Sequence, residues 1–223
     1  ILQEMKWWLV DLGFPAYYFE TTPLEEIGNQ IRINRFHEMS GMDSVEYSNL
    51  KISYKSPSGT AIHWVHKSRF LEVETDIERE CNRNNELIDV SVYPHDNLLL
   101  YIASSHKMPA DSANIRTFES ARSEAFVKMS TTDLESRYKA LWEKVAAGEE
   151  IVMERSVKEG TGEYRLMIGF SHQFINHFLS NISRLMEKAG IKVGRKYCHM
   201  FMGKRPVVIC SFYSDRLFPA NII

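Results

Sequence analysis

Ile151-Val152-Met153-Glu154-Arg155-Ser156-Val157 and Tyr164-Arg165-Leu166-Met167-Ile168-Gly169-Phe170, with the residues that carry them on to Tyr213, decide the fold. Both runs read as strands, joined by the glycine-containing turn Lys158–Glu163. Ser171 is placed to cap a helix. Its stripe would hold Phe174, Phe178, Ile182, Leu185 and Ala189 beside Ile175, Leu179 and Met186, with Gly190 as the stop. Ile191–Phe201 and Pro206–Tyr213 read as two further strands around Met202-Gly203-Lys204-Arg205. The helix is long enough for a parallel crossover. The order strand, helix, strand, strand is most of a split β-α-β layer, and the helix and strand that would complete it do not follow.

Working back toward the N-terminus, 110–149 reads as a helical connector. Ile115, Phe118, Ala121, Ala125 and Met129 mark one helix. Thr132-Asp133-Leu134-Glu135 forms a capping box for a second, with Leu134, Tyr138, Leu141, Trp142 and Val145 on one face and Gly148 after it. Before the connector, Leu50–Tyr54 and Ala61–Val65 make a hairpin through Ser56-Pro57-Ser58-Gly59. Phe70, Val73, Ile77 and Cys81 then recur at helical spacing up to Asn82-Arg83-Asn84-Asn85. A second hairpin carries Ile88, Val90 and Val92 on one face and returns through Leu98–Ala103, which is apolar on both faces and so reads as a central strand. Further back, Thr22-Pro23-Leu24-Glu25 opens a helix with Leu24, Ile27 and Ile31, and Gly41 is its stop. Trp7, Trp8, Phe14, Tyr17, Tyr18 and Phe19 form an aromatic cluster that calls for a packing partner. The fold class is α/β of the α+β kind: an N-terminal domain over 1–109, the connector over 110–149, and a third piece over 150–223.

The chemistry in the chain is sparse. No GxGxxG or GxxxxGK[ST] occurs, and Gly160-Thr161-Gly162 sits between hairpin strands with no helix behind it. His63 and His66, three apart on a strand, point to opposite faces. His172 and His177, five apart near a helix start, lie about 140° apart around the axis. Neither pair suggests a metal site. Gly169-Phe170-Ser171-His172-Gln173 misses the G-x-S-x-G pattern at its last position, and adjacent Cys198 and His199 face opposite ways on a strand. The acids Glu72, Glu74, Asp76, Glu78 and Glu80 read as the solvated side of an amphipathic helix. Lys192, Arg195, Lys196, Lys204 and Arg205 read as protection of a sheet edge. Cys81, Cys198 and Cys210 lack zinc spacing and read as free thiols in a reducing cytoplasm.

Composition bounds the partners. The chain has 223 residues, 27 Lys plus Arg against 29 Asp plus Glu, and a formal net charge of -2. That balance gives no support for nucleic acid or an anionic membrane. The apolar runs are far shorter than the roughly 18–20 residues of a membrane span. The chain opens on Ile1, and no charged segment leads into an apolar run, so no signal peptide is expected. Either the start was processed or the chain is a piece of something longer.

A family resemblance carries the reading further. Trp7-Trp8 followed by Pro15-Ala16-Tyr17-Tyr18-Phe19-Glu20-Thr21-Thr22 resembles the N-terminal region of the large NAD-dependent glutamate dehydrogenases of bacteria. Arg165–His172, Gly194-Arg195-Lys196-Tyr197 and Val207–Tyr213 are similar to a ferredoxin-like, ACT-like segment that lies before the catalytic part. The resemblance implies a whole enzyme that oxidises L-glutamate to 2-oxoglutarate and ammonium and passes a hydride to NAD. Its catalytic lysine and Rossmann domain would lie downstream, so NAD is expected there and no catalytic residue falls in this sequence. The implied role is a regulatory or assembly region, with the downstream domains, further copies of the chain and an amino-acid effector as partners. ACT-type modules hold an amino acid at a strand-to-helix corner, here Gly169, Ser171 and His172. Where those modules carry an Asp-x-Pro-Gly-like turn, this chain has Ser171-His172-Gln173.

Overall fold

The computed structural model describes residues 51–55, 60–84, 86–95, 97–107, 114–123, 126–127, 130–158, 160–172 and 177–219. Gln3, Lys6, Val10, Phe19, Leu24, Glu25, Ile27, Gly28 and Ile31 are described singly, and all nine are helical. Most of the expected aromatic cluster, Gly41, Phe174 and Ile175 lie outside the described residues.

Eight strands form one sheet: β1 (Lys51–Lys55), β2 (Thr60–His66), β3 (Glu86–His95), β4 (Leu98–Lys107), β5 (Ile151–Val157), β6 (Tyr164–Ser171), β7 (Lys196–Phe201) and β8 (Val207–Ser214). The helices are α1 (Phe70–Asn84), α2 (Phe118–Ala121), α3 (Thr132–Ala146) and α4 (Phe178–Lys188). The strand order is β1-β2-β4-β3-β7-β8-β6-β5, and neighbouring strands are antiparallel.

That order is a palindrome. The N-terminal unit runs β1-β2-α1-β3-β4 and stacks its strands β1-β2-β4-β3. The C-terminal unit runs β5-β6-α4-β7-β8 and stacks them β5-β6-β8-β7. In each unit the helix connects two parallel strands with the last strand inserted between them. The strand that flanks β6 is β5, which precedes it in sequence, so the C-terminal unit needs no later strand. The units meet at β3 and β7, where Val90, Ser91 and Val92 lie opposite Cys198, Tyr197 and Lys196. The helices repeat as well. The buried positions 73, 74, 77, 78 and 81 of α1 recur on α4 at the same spacing, at 178, 179, 182, 183 and 186.

Alternation along the strands sorts the core into two faces. On the first, Val73, Ile77 and Cys81 of α1 and Phe178, Leu179, Ile182 and Met186 of α4 pack on Val90, Val92, Tyr101, Leu166, Ile168, Phe170, Val208 and Phe212. A fully buried Leu, Ile or Phe contributes roughly 1.5–3 kcal/mol. On the second face, α2, Phe126 and α3 cover Met167, Phe201, Val207 and Ile209. Ile27 and Ile31 cover Ile62, Trp64, Tyr93, Leu100 and Ile102. β4 is central and covered on both sides, as its double apolar pattern predicts.

Several expectations change. The first connector helix is interrupted: Phe118–Ala121 starts at the reciprocal cap of Thr117 and Ser120 and ends where Arg122 turns extended, at φ -69° and ψ 143°, and Phe126 and Val127 are helical again. The N-cap of α3 is Thr131, whose hydroxyl accepts from Leu134 N at 3.4 Å, and Thr132 is the first helical residue. Ser171 ends β6 and caps no described helix, since α4 runs from Phe178. Leu185, placed on the buried stripe by spacing, is 44% exposed. The last strand pair begins at Lys196, not Ile191. Cys198 and Cys210 are cross-strand partners joined as a disulfide, and Cys81 is buried on α1 outside that bond.

Candidate functional site

The seam between the two units gathers buried ionisable groups that local pattern assigned to the surface. The acids of α1 repeat every second residue, and two residues turn a helix by about 200°. A run of that kind must send some members inward. Glu74 and Glu78 are 0% and 4% exposed, so the reading of all five acids as a solvated face is corrected. The basic cluster is corrected too: β7 and β8 are interior strands, and Lys196 is buried.

Lys196 Nζ, on β7, makes an ion pair with Glu74 Oε1, on α1. It also donates to Ser183 Oγ of α4 at 2.7 Å. The Tyr101 hydroxyl of β4 donates to the same Glu74 oxygen at 2.9 Å. The ammonium lies 5.6 Å and 5.7 Å from the ring centres of Phe70 and Tyr101, where ring quadrupoles add attraction. Burial pulls the Lys196 ammonium down to about 7 and pushes the Tyr101 phenol up. Glu74 Oε2 is buried and has no hydrogen-bond partner among the described residues.

One turn further along α1, Glu78 caps α4. The residue before α4, His177, has φ +58° and makes no side-chain cap bond. The Glu78 carboxylate takes its place, accepting from Leu179 N at 2.5 Å and from the Ser180 hydroxyl at 2.7 Å. Leu179 N is one of the first-turn amides that a helix leaves unsatisfied, and the Ser180 hydroxyl adds a side-chain donor beside it. Burial raises the Glu78 carboxyl above the ordinary carboxylate range, and the two hydrogen bonds oppose that rise. His177 Nδ1 stands 3.5 Å from Glu78 Oε2.

A third acid, Asp89 of β3, crosses the seam on the second face. It accepts from Met200 N at 3.2 Å and Ser123 Oγ at 2.9 Å, and lies 3.3 Å from His199 Nδ1. Tyr93 and Tyr197 meet edge to face across the same seam, with ring centres 5.8 Å apart. Among the described residues, Glu74, Glu78 and Asp89 all belong to the N-terminal unit, while Lys196, Leu179, Ser180 and Met200 belong to the C-terminal unit.

The corner predicted to hold a ligand divides between the two faces. Gly169 lies under α3, where a Cβ would stand 3.5 Å from Leu141 Cβ and Val145 Cγ2. Ser171, two residues on, is buried, and its Oγ has no hydrogen-bond partner among the described residues. His172 lines a narrow cleft on the other face with Glu78, Asn82, His177 and Phe178. Its backbone N donates to Pro206 O at 2.9 Å, and burial lowers its imidazole below the usual value. His172 and His177 therefore meet at one cleft, which helix geometry alone did not suggest. His63 accepts or donates at Nδ1 to Ser53 Oγ at 2.8 Å. No set of three His, Cys, Asp or Glu residues among those described is placed to hold a metal ion. No described helix is long and apolar enough to cross a membrane.

Residues 80–219, more than half of the chain, match the family model of the NAD-specific glutamate dehydrogenase second domain. The chain belongs to that family. The match covers the end of α1, the β3–β4 hairpin and the whole C-terminal unit, so β3 and β7 fall within it, while Glu74 and Glu78 lie just before its first residue. No curated protein matches the chain. A solved structure of a DUF4931 family protein from Bacillus cereus ATCC 10987 is similar at a TM-score of 0.32 and 9% identity, over 77% of this chain and 82% of that one.

Proposed function

We propose that this second domain is a non-catalytic regulatory or assembly region of a cytoplasmic NAD-specific glutamate dehydrogenase. Oxidation of L-glutamate to 2-oxoglutarate and ammonium, with hydride transfer to NAD, belongs to downstream domains of the parent chain. The observation that carries this reading is the use made of the buried charge. Glu74, Glu78, Lys196 and Asp89 are held by one another, by backbone amides across the seam and by the hydroxyls of Tyr101, Ser123, Ser180 and Ser183. They join two units, as residues of an internal interface do. The test has two arms. The purified chain with L-glutamate and NAD forms no NADH, and Lys196→Met in the full-length enzyme changes turnover or subunit assembly. NADH formation by the chain alone, or a full-length variant identical to wild type in both respects, contradicts the proposal.

The cleft beside His172 supports a second reading, an ACT-like module that senses an amino acid. Calorimetry with a panel of amino acids, on wild type and on Ser171→Ala and His172→Ala variants, decides it. Heat of binding that the His172→Ala variant loses supports sensing, and silence across the panel removes it.

A further inference from the structure

The seam is the weakest backbone joint in the sheet. Its ladder runs only through Val90–Val92 and Lys196–Cys198. β3 and β4, by contrast, pair along their whole length, Glu86–His95 with Leu98–Lys107. β6 pairs with β8 from Tyr164 to Ser171. What the seam lacks in backbone hydrogen bonds it regains from the three carboxylates of the N-terminal unit, each held by groups of the C-terminal unit. Each unit has its own helix on the first face, where the two helices also share one apolar core across the seam, and covering helical residues on the second.

We infer that the seam is a hinge, at which β3 and β7 part while each unit stays folded, and that Glu78 is the side-chain latch that holds it shut. Glu78 is suited to that part because its partners are the first-turn donors of α4. Release of the carboxylate uncaps that helix and removes the direct hydrogen bonds between α1 and α4 in one step. The groups around the latch are His177 on the approach to α4, His172 after β6, and Cys81 and Asn82 on α1. Glu74 and Lys196 lie one turn further along and close the same seam. Opening also separates the Tyr93 and Tyr197 rings on the second face. Two arrangements of one joint are what a relay between sites requires. Use of the hinge as a relay rests on the regulatory reading above, whereas the hinge itself is a property of the fold and fails or stands separately.

Hydrogen exchange on the intact chain tests it. Backbone amides of Val90, Val92, Lys196 and Cys198, which face the seam, and of Leu179 should exchange roughly tenfold or more faster than those of Leu100–Ala103 in β4 and Ile209–Phe212 in β8, through partial opening. Glu78→Ala should speed the seam amides about tenfold more, the scale of a lost helix cap, and leave β4 and β8 unchanged. Ser180→Ala, which removes one of the two donors, should act in the same direction if Glu78→Ala does not fold. Glu80→Ala, on the same helix but paired outward to Lys55, should leave the seam as it was. One common rate for seam, β4 and β8 overturns the hinge. A fast seam that neither Glu78→Ala nor Ser180→Ala accelerates overturns the latch, and with it the inference.

Discussion

The two units share a chain path and differ in what they place on it. At matching helix positions α1 carries Glu74 and Glu78, where α4 carries Leu179 and Ser183. Their outer edges differ as well. On β1, Ser53 is hydrogen-bonded to His63 and Lys55 is ion-paired with Glu80. On β5 the corresponding face presents Ile151, Met153 and Val157, which are 46%, 39% and 53% exposed. The difference teaches that a repeated backbone can carry a directional joint. Acids on one side and donors on the other let an N-terminal unit meet a C-terminal unit, while two N-terminal units would bring carboxylate against carboxylate.

The largest expected effect comes from breaking that direction at its centre. Lys196→Met leaves Glu74 buried and unpaired, and chemical denaturation should show a loss of about 3–5 kcal/mol. A lysine on the outer edge has no such sensitivity: Lys55→Met removes only an exposed pair, and the same measurement should move by no more than about 1 kcal/mol.

The pH dependence of stability comes next. The folded-state value of Lys196, about 7, lies below its ordinary 10.5. Between those two values the unfolded chain binds more protons, so Lys196 makes stability rise with pH across that window and adds no slope below it. Comparison of Lys196→Met with wild type from pH 6 to 10.5 should show that slope lost in the variant. Glu78 works in the opposite sense. Its folded value is raised, so its contribution is full below pH 4.5 and is lost as pH rises through the folded value.

Smaller effects separate the covering helices from the edge. Tyr138→Phe removes the 2.6 Å hydrogen bond between the Tyr138 hydroxyl and Ser211 Oγ beneath α3, and should cost about 1 kcal/mol. Met153→Lys on β5 should change stability by less than about 0.5 kcal/mol, because the side chain is already in water. Val152→Lys, its neighbour on the buried side, should be far more damaging. Equal effects at 152 and 153 would contradict the assigned faces of β5.

Much of this was legible in the sequence because its causes are local. Phe70, Val73, Ile77 and Cys81 mark the inner face of α1, Tyr138, Leu141, Trp142 and Val145 mark that of α3, and the double apolar run Leu98–Ala103 marks a central strand. The family resemblance also agrees with the matched second domain. The seam was not legible. Glu74 meets Lys196 across 122 residues of sequence, and Glu78 meets Leu179 across 101. Local spacing could show only that alternate acids cannot all face water. The cap of α4 was misread for the same reason, since the acceptor comes from another helix and not from Ser171. The repeat was hidden because the shared spacing of buried positions is filled by Val73, Glu74 and Cys81 in one unit and by Phe178, Leu179 and Met186 in the other.

The most direct test is a double-mutant cycle on Glu74 and Lys196, read by equilibrium unfolding of the whole chain. Glu74→Leu and Lys196→Met should each destabilise strongly, while the double variant, with both charges gone, should recover most of the loss and give a coupling of about 3 kcal/mol or more. Losses that simply add, with the double variant as unstable as the sum of the singles, would contradict a charge-paired seam between the two units.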